Sequence, residues 1–263
     1  MKIIYTNNLS IKISSLLLYF IGLFFICGCQ EKQMPNDPTV AFAVVKAYYD
    51  DKDYEEALKK LEEFKARFPY SSYSVQADLL IAESEYALTH YDEAAISYSN
   101  FAKFHPNHEK VPYVLYMVGN CYWKISPQVK DRDQTYTQKA VSAWQELREK
   151  YPDSSYAKQV ISSLDEANLK LAQNLDFITA FYYRKKNYSA CAYRSLELIE
   201  KARNFPEILK DAIPRAIYSF EKVLKEKKSN PEGDSNIYLT MSEDKIEYII
   251  EKLKNYHATF NKQ

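Results

Sequence analysis

DYEEALKKLEEFKARFP at residues 53–69 and HYDEAAISYSNFAKFHP at residues 90–106 are two copies of one pattern, 37 residues apart. The register aligns Ala57 with Ala94, and each copy ends at a proline. A third copy, DQTYTQKAVSAWQELREKYP, occupies residues 133–152 and keeps the same spacing between its alanine and its final proline. Repeats of this length predict a solenoid of stacked helix pairs, because one pair cannot bury its apolar face alone.

The composition favours an all-α protein. The chain of 263 residues contains only 4 Gly and 10 Pro, few for an α/β or all-β protein with many tight turns. Ala, Leu, Glu and Lys, which are good helix formers, dominate the periodic segments. The 24 Tyr suit half-buried walls and binding surfaces, since the ring packs while the hydroxyl stays polar.

The N-terminus predicts a lipoprotein signal peptide over residues 1–28, which carry two Lys and no acidic residue. The apolar run at 13–26 fits a signal-peptide core and is short for a membrane span. It ends in ICGC at 26–29, which looks like a lipobox with Gly28 before the cleavage point and Cys29 as the lipidated residue. An ordinary signal peptide that contains cysteine is the alternative.

The charge balance of the mature chain argues against nucleic acid as a partner. Removing residues 1–28 changes the formal charge from 0 to 33 − 35 = −2, and no basic patch stands out. Gln30 follows Cys29, where many inner-membrane lipoproteins have Asp, so we expect a protein lipid-anchored to the outer membrane on its periplasmic face. Cys121 and Cys191 lie in helical patterns and are expected to be buried free thiols.

The apolar periodicity predicts ten helices in five pairs. Their expected ranges are 39–49, 54–68, 72–89, 91–105, 111–125, 133–150, 155–186, 188–204, 207–226 and 242–260. We divide the mature chain into a tether at 29–38, three repeats at 39–153 and two repeats at 154–263, of which the last is degenerate. An insertion before the sixth helix contains KDRD at 130–133, which predicts a self-paired charged turn that holds the insertion.

The pattern resembles the tetratricopeptide repeat. The positions that carry the resemblance are Ala82, Tyr91, Ala94 and Pro106, and then Gly119, Tyr122, Ala140 and Pro152. The period of 37 departs from the usual 34, and Asp78 and Glu85 stand where the family has apolar residues. The resemblance implies a right-handed α-solenoid of about five helix pairs.

A more specific resemblance appears when the lipobox is combined with four later segments. These are RFPYSSYSVQADLLIAESEYALTHYDEA at 67–94, FHPNHEKVPYVLYMVGNCYW at 104–123, EKYPDSSYAKQ at 149–159 and LAQNLDFITAFYYRKKNYSACAYR at 171–194. Together they resemble the BamD family, the lipoproteins of the β-barrel assembly machinery. The resemblance covers roughly residues 26–206 and fades after Pro206.

This resemblance implies a non-catalytic component of the outer-membrane β-barrel assembly complex. N-terminal repeats of this family are thought to receive the aromatic-rich C-terminal signal of unfolded outer-membrane barrel proteins, and C-terminal repeats to hold the POTRA region of the BamA-type barrel subunit. Tyr182, Tyr183 and Arg194 match the family pattern in the C-terminal half, which makes them candidate partner-binding residues. Arg194 could form bidentate, charge-assisted hydrogen bonds to a partner carboxylate. The alternatives are a solvated Arg194 and tyrosines that pack in the core between repeats.

In tetratricopeptide proteins the first helix of each pair lines a groove. The corresponding positions are Thr39, Phe42, Lys46 and Tyr49, then Gln76, Leu79, Glu83 and Tyr86, and then Tyr113, Tyr116, Asn120 and Trp123. Steps of three and four place each set on one helical face. An aromatic face with a few polar groups suits an extended or loosely helical peptide. The same spacing also fits aromatic side chains that pack between helices.

Enzyme motifs are missing from the sequence. It contains no nucleophile elbow and no phosphate-binding glycine loop. His105 and His108 are close enough to chelate a metal, but no third ligand is spaced nearby. We therefore expect no catalysis, metal or cofactor. A lipoprotein activator of a cell-wall enzyme, or a general tetratricopeptide scaffold of an envelope complex, remains the alternative function.

Overall fold

A computed structural model describes residues 33–229 and 241–260. Within these ranges the chain forms ten helices: α1 Pro38–Asp50, α2 Tyr54–Arg67, α3 Ser74–Ala87, α4 Tyr91–Phe104, α5 Val111–Ile125, α6 Thr135–Lys150, α7 Ser155–Arg184, α8 Tyr188–Lys201, α9 Pro206–Ser229 and α10 Glu243–Phe260. The predicted signal peptide and Cys29 lie outside the described residues. None of the helices in the described part combines the length and the apolar character needed to cross a membrane.

The helices follow one another as five stacked pairs, which confirms the all-α solenoid. Each helix packs against the next one along the chain. In addition, α7 packs against α5 and α9, so the first helices of units three, four and five are in contact. Ala57, Ala94 and Ala140, the small residues of the repeat, are fully buried as expected where helices approach closely. Cys121 and Cys191 are buried free thiols, as predicted.

Several helix ends differ from the prediction by two or three residues, among them the end of α9 and the start of α6. α9 continues to Ser229, three residues past the expected end, and Lys227 in its last turn donates to the Met241 carbonyl at 2.7 Å. This bond ties the end of α9 to the start of α10. α6 begins two residues late because the Asp133 carboxylate accepts from the Thr135 backbone N–H at 2.9 Å, which fixes a turn before the helix.

One turn geometry recurs between the two helices of a pair. Lys52, Thr89 and Lys186 adopt the left-handed conformation, with φ of 64°, 64° and 56°. In the first turn the Asp53 N–H donates to the Tyr48 carbonyl at 3.0 Å, the long-range bond of a Schellman motif, and the other two turns repeat it. The left-handed position costs a residue with a side chain about 1–2 kcal/mol. The repeated bonds hold the angle within each pair.

The insertion before α6 is held by amide side chains rather than by a charged turn, so the expectation for residues 130–133 was wrong. Gln134 is buried, and its amide donates to the carbonyls of Val129 and Arg132 at 3.0 and 3.2 Å. Asn174 of α7 donates to the Lys130 carbonyl at 2.6 Å. Backbone carbonyls of the loop thus accept from Gln134 within the loop and from Asn174 on α7, and the second contact fixes the loop against the fourth unit.

Candidate functional site

The residues predicted to line a groove form a continuous, half-buried surface on the first helices α1, α3 and α5. We call this surface the first-helix face. Nine of the predicted positions are intermediate in exposure: Lys46, Tyr49, Leu79, Glu83, Tyr86, Tyr113, Tyr116, Asn120 and Trp123. Thr39 and Gln76, which were also predicted, are exposed. Phe42 was also predicted to line the groove, but it does not: its ring is only 4% exposed and stacks on Tyr73 with the centroids 4.8 Å apart. It belongs to the core of the first unit.

Glu83 lies at the polar centre of the first-helix face. The Tyr49 hydroxyl on α1 donates to the Glu83 carboxylate on α3 at 2.8 Å. Burial, followed by this hydrogen bond, raises the pKa of Tyr49, which keeps its phenol neutral. Burial and then the charge of Glu83 likewise raise the pKa of Tyr113 on α5. The Glu83 carboxylate of α3 therefore stands between tyrosines from the two neighbouring first helices, α1 and α5.

Aromatic rings extend the face into the fourth unit. Tyr156 at the start of α7 lies beside two rings of α5, with centroid distances of 5.6 Å to Tyr113 and 5.4 Å to Tyr116. Sequence reasoning missed Tyr156. The signal was present, because PYSSY at 69–73 and PDSSY at 152–156 place Tyr73 and Tyr156 at equivalent positions.

A cation, Lys170, lies at the end of the first-helix face that is formed by the fourth unit. The Lys170 ammonium of α7 lies 4.5 Å from the centroid of the Trp123 ring and donates to the Ser126 hydroxyl at 3.0 Å. Burial lowers the pKa of Lys170. The face therefore carries a carboxylate in the second unit, Glu83, and an ammonium group in the fourth, with aromatic rings between them. Lys170 was not predicted, since its contact with Trp123 depends on how consecutive units stack.

The three candidate partner-binding residues separate into two groups. The Arg194 guanidinium lies 5.7 Å from the Tyr182 ring centroid, so these two form a cation–π pair on α7 and α8. Tyr183 instead joins a cluster with Tyr188 and Tyr218, where each ring pair is 5.6–6.0 Å apart. The cluster links three consecutive helices, which gives Tyr183 a packing role that Tyr182 does not share.

The two acidic residues that break the repeat pattern have different surroundings. Asp78 on α3 pairs with Lys65 of α2 and lies 3.2 Å from Nε2 of His105, so it links α3 to α2 and to the residue that follows α4. This contact gives His105 a structural role. Glu85 has one buried carboxylate oxygen without a hydrogen bond, and burial raises its pKa. The Glu85 carboxylate therefore loses hydration without full replacement by hydrogen bonds.

Comparison with known proteins gives one family. The family model described as "YfiO: Outer membrane lipoprotein" matches residues 34–230, about three quarters of the chain. Among curated relatives, the outer membrane protein assembly factor BamD of Rickettsia prowazekii is 28% identical over 195 residues, which cover 72% of this chain and 77% of that protein. The BamD of Vibrio cholerae is 28% identical over 197 residues, covering 69% and 79%.

A third relative, the BamD of Neisseria meningitidis serogroup B, is 25% identical over 206 residues, which cover 72% of this chain and 77% of the relative. Among solved structures, a tetratricopeptide repeat protein from Parabacteroides merdae covers 83% of this chain and 86% of its own length, at 16% identity and a TM-score of 0.36. The matched range 34–230 contains the whole first-helix face together with Tyr182 and Arg194.

Proposed function

We propose that this protein is a BamD-like assembly factor for outer-membrane β-barrel proteins. The chain belongs to the YfiO family of outer membrane lipoproteins. The observation that carries the proposal is the family match over residues 34–230, which spans nine of the ten described helices. The mature protein is anchored by lipid on Cys29 and faces the periplasm. It works by binding, as a scaffold, without catalysis.

The first-helix face is the proposed binding site for unfolded barrel proteins. Half-buried rings offer large contact areas with few rotatable bonds, so they bind aromatic side chains of a peptide at low entropic cost. A peptide that ends with its own C-terminus also carries a free carboxylate. The Lys170 ammonium over Trp123 is placed to receive that carboxylate, while Glu83 can accept from donors farther along the peptide.

The C-terminal repeats are the proposed docking site for the BamA-type subunit through its POTRA region. Tyr182 and Arg194 support this because they are partly exposed and already paired, which holds the guanidinium in place for a partner carboxylate. Tyr183 contributes by keeping α7, α8 and α9 together. Arg194→Ala should reduce co-purification of the POTRA-bearing subunit from solubilised envelopes, whereas unchanged recovery would remove Arg194 from the site.

Peptide binding tests the first-helix face directly. The ligand is a labelled peptide with the aromatic C-terminal sequence of an outer-membrane barrel protein, made as the free acid and as the amide. We expect Tyr113→Ala to weaken binding of both peptides, because a stacking ring is lost. The matched control is Ile96→Ala. The Ile96 side chain is 59% exposed and lies on α4, the second helix of its pair, away from the first-helix face. Equal affinities for the two variants would contradict the proposed site.

A further inference from the structure

Helix α1 is apolar on the side that faces the core and also on the side that faces away from it. Phe42 points into the first core cluster. On the opposite side Val40 and Val44 are 53% and 42% exposed, and Ala43 and Ala47 are exposed beside them. We call Val40, Ala43, Val44 and Ala47 the outer stripe. A helix that is apolar around its circumference is normally covered on both sides.

The two ends of the solenoid differ in this respect. The last helix, α10, presents charged side chains outward: Asp244, Lys245, Glu247, Glu251 and Lys252. Terminal repeats usually carry such a polar outer face, since no further repeat covers them. The only charges of α1 within its helical range, Lys46 and Asp50, pair with each other at 2.6 Å and lie beside the outer stripe. The stripe is therefore uncharged.

The predicted lipid anchor lies within reach of this helix. Met34 is 6% exposed in the core cluster of the first unit, and its carbonyl accepts a hydrogen bond from Arg67 of α2 at 2.8 Å. Five peptide steps separate Met34 from Cys29, so the chain can span at most about 18 Å between them. This distance is shorter than α1, whose 13 residues extend over about 20 Å. Acyl chains on Cys29 would keep α1 beside the bilayer.

We propose that the outer stripe lies against the phospholipid surface that holds the acylated Cys29. The inference rests on the lipid anchor of the proposed function. The short chain that follows the anchor and the buried Met34 leave little freedom for the first unit to move away from the membrane. An uncharged apolar stripe of four small side chains then makes shallow contact with the lipid interface. The contact sets the orientation of the solenoid, while the acyl chains supply the attachment.

Site-directed fluorescence tests this placement. The full lipidated protein is reconstituted into vesicles of phosphatidylethanolamine and phosphatidylglycerol, some containing lipids with a nitroxide near the headgroup. Val44→Cys carries an environment-sensitive fluorophore, and the control is Glu251→Cys on the outer face of α10. Cys121 and Cys191 are buried and stay unlabelled in the native protein. We expect quenching at residue 44 to exceed that at residue 251 at least about twofold.

Flotation of the vesicles separates the possible outcomes, and circular dichroism confirms that each labelled variant is folded. Protein that floats with the vesicles but shows equal quenching at residues 44 and 251 would overturn the inference and leave the anchor intact. In a separate sample of unlabelled Val44→Cys protein treated with a mild oxidant, disulfide cross-linking between two copies through residue 44 would assign the stripe to a second copy and overturn the inference as well. Failure to float would overturn both the anchor and the inference.

Discussion

Gly119 on α5 allows α5 to approach Trp144 of α6 closely, and a single added methyl group should disrupt this contact. A Cβ added at Gly119 would lie 2.1 Å from Nε1 of Trp144 and 2.3 Å from its Cδ1. Ordinary contact begins at 3.4 Å, so the indole would have to move by about 1.3 Å. Trp144 is fully buried on α6 and cannot yield easily. We therefore predict that Gly119→Ala destabilises the protein.

The size of the effect follows from three contributions. Overpacking of a dense core costs about 1–3 kcal/mol, and the large overlap places Gly119→Ala near the upper value. Displacement of the indole also weakens the Trp144 N–H bond to the Tyr116 carbonyl, 3.3 Å long, by about 1 kcal/mol. Alanine recovers about 1 kcal/mol of helix propensity. The net loss should be about 2–3 kcal/mol, or about 5–10 °C in the melting temperature of a chain of this length.

Urea unfolding of residues 30–263, followed by circular dichroism, measures this loss. The companion variant is Trp144→Phe, which removes the pyrrole ring that the new methyl group would strike. In the double variant the alanine should cost at least about 1 kcal/mol less than it does alone. A Gly119→Ala protein as stable as the wild type, or a double variant with purely additive losses, would refute the packing described for α5 and α6.

Three further predictions concern other parts of the chain. Thr89→Gly should raise the free energy of unfolding by about 1 kcal/mol, because Thr89 holds φ at 64° with a branched side chain; an unchanged urea midpoint would contradict the strain assigned to that turn. Glu85→Gln should stabilise the protein more at pH 8 than at pH 4, as measured by urea midpoints. Burial raises the pKa of Glu85, so the wild type loses stability as pH rises and the carboxylate ionises; a gain independent of pH would point to another cause. Lys170→Met should weaken binding of the free-acid peptide by several-fold and leave the amidated peptide nearly unaffected, and an equal loss for both would show that Lys170 does not bind the terminal carboxylate.

The helices and their pairing could be read from the sequence because they depend on local spacing. Ala57 and Ala94 mark the same crossing point in each unit, and the structure buries both. Contacts between units were harder to predict, since they depend on how each pair rotates relative to the last. Tyr156 was missed for that reason, although its equivalence to Tyr73 was visible in the sequence.

Counting helical steps also cannot decide how deeply a side chain is buried. Phe42 and Lys46 were assigned to one face, yet Phe42 is enclosed by aromatic neighbours whereas Lys46 remains partly exposed. The insertion shows a different limit. Its run of charges predicted a charged turn, but the backbone carbonyls of the loop instead accept hydrogen bonds from the amides of Gln134 and Asn174.

The most direct test of assembly-factor function is the amount of folded outer-membrane barrel protein in cells depleted of this protein. Folded and unfolded barrels separate by their mobility in unheated gels, so both forms can be quantified while synthesis is followed by pulse labelling. We predict that depletion lowers the folded fraction without reducing synthesis, and that the wild-type chain restores it. A depleted strain that retains a normal level of folded barrels would contradict the proposed function.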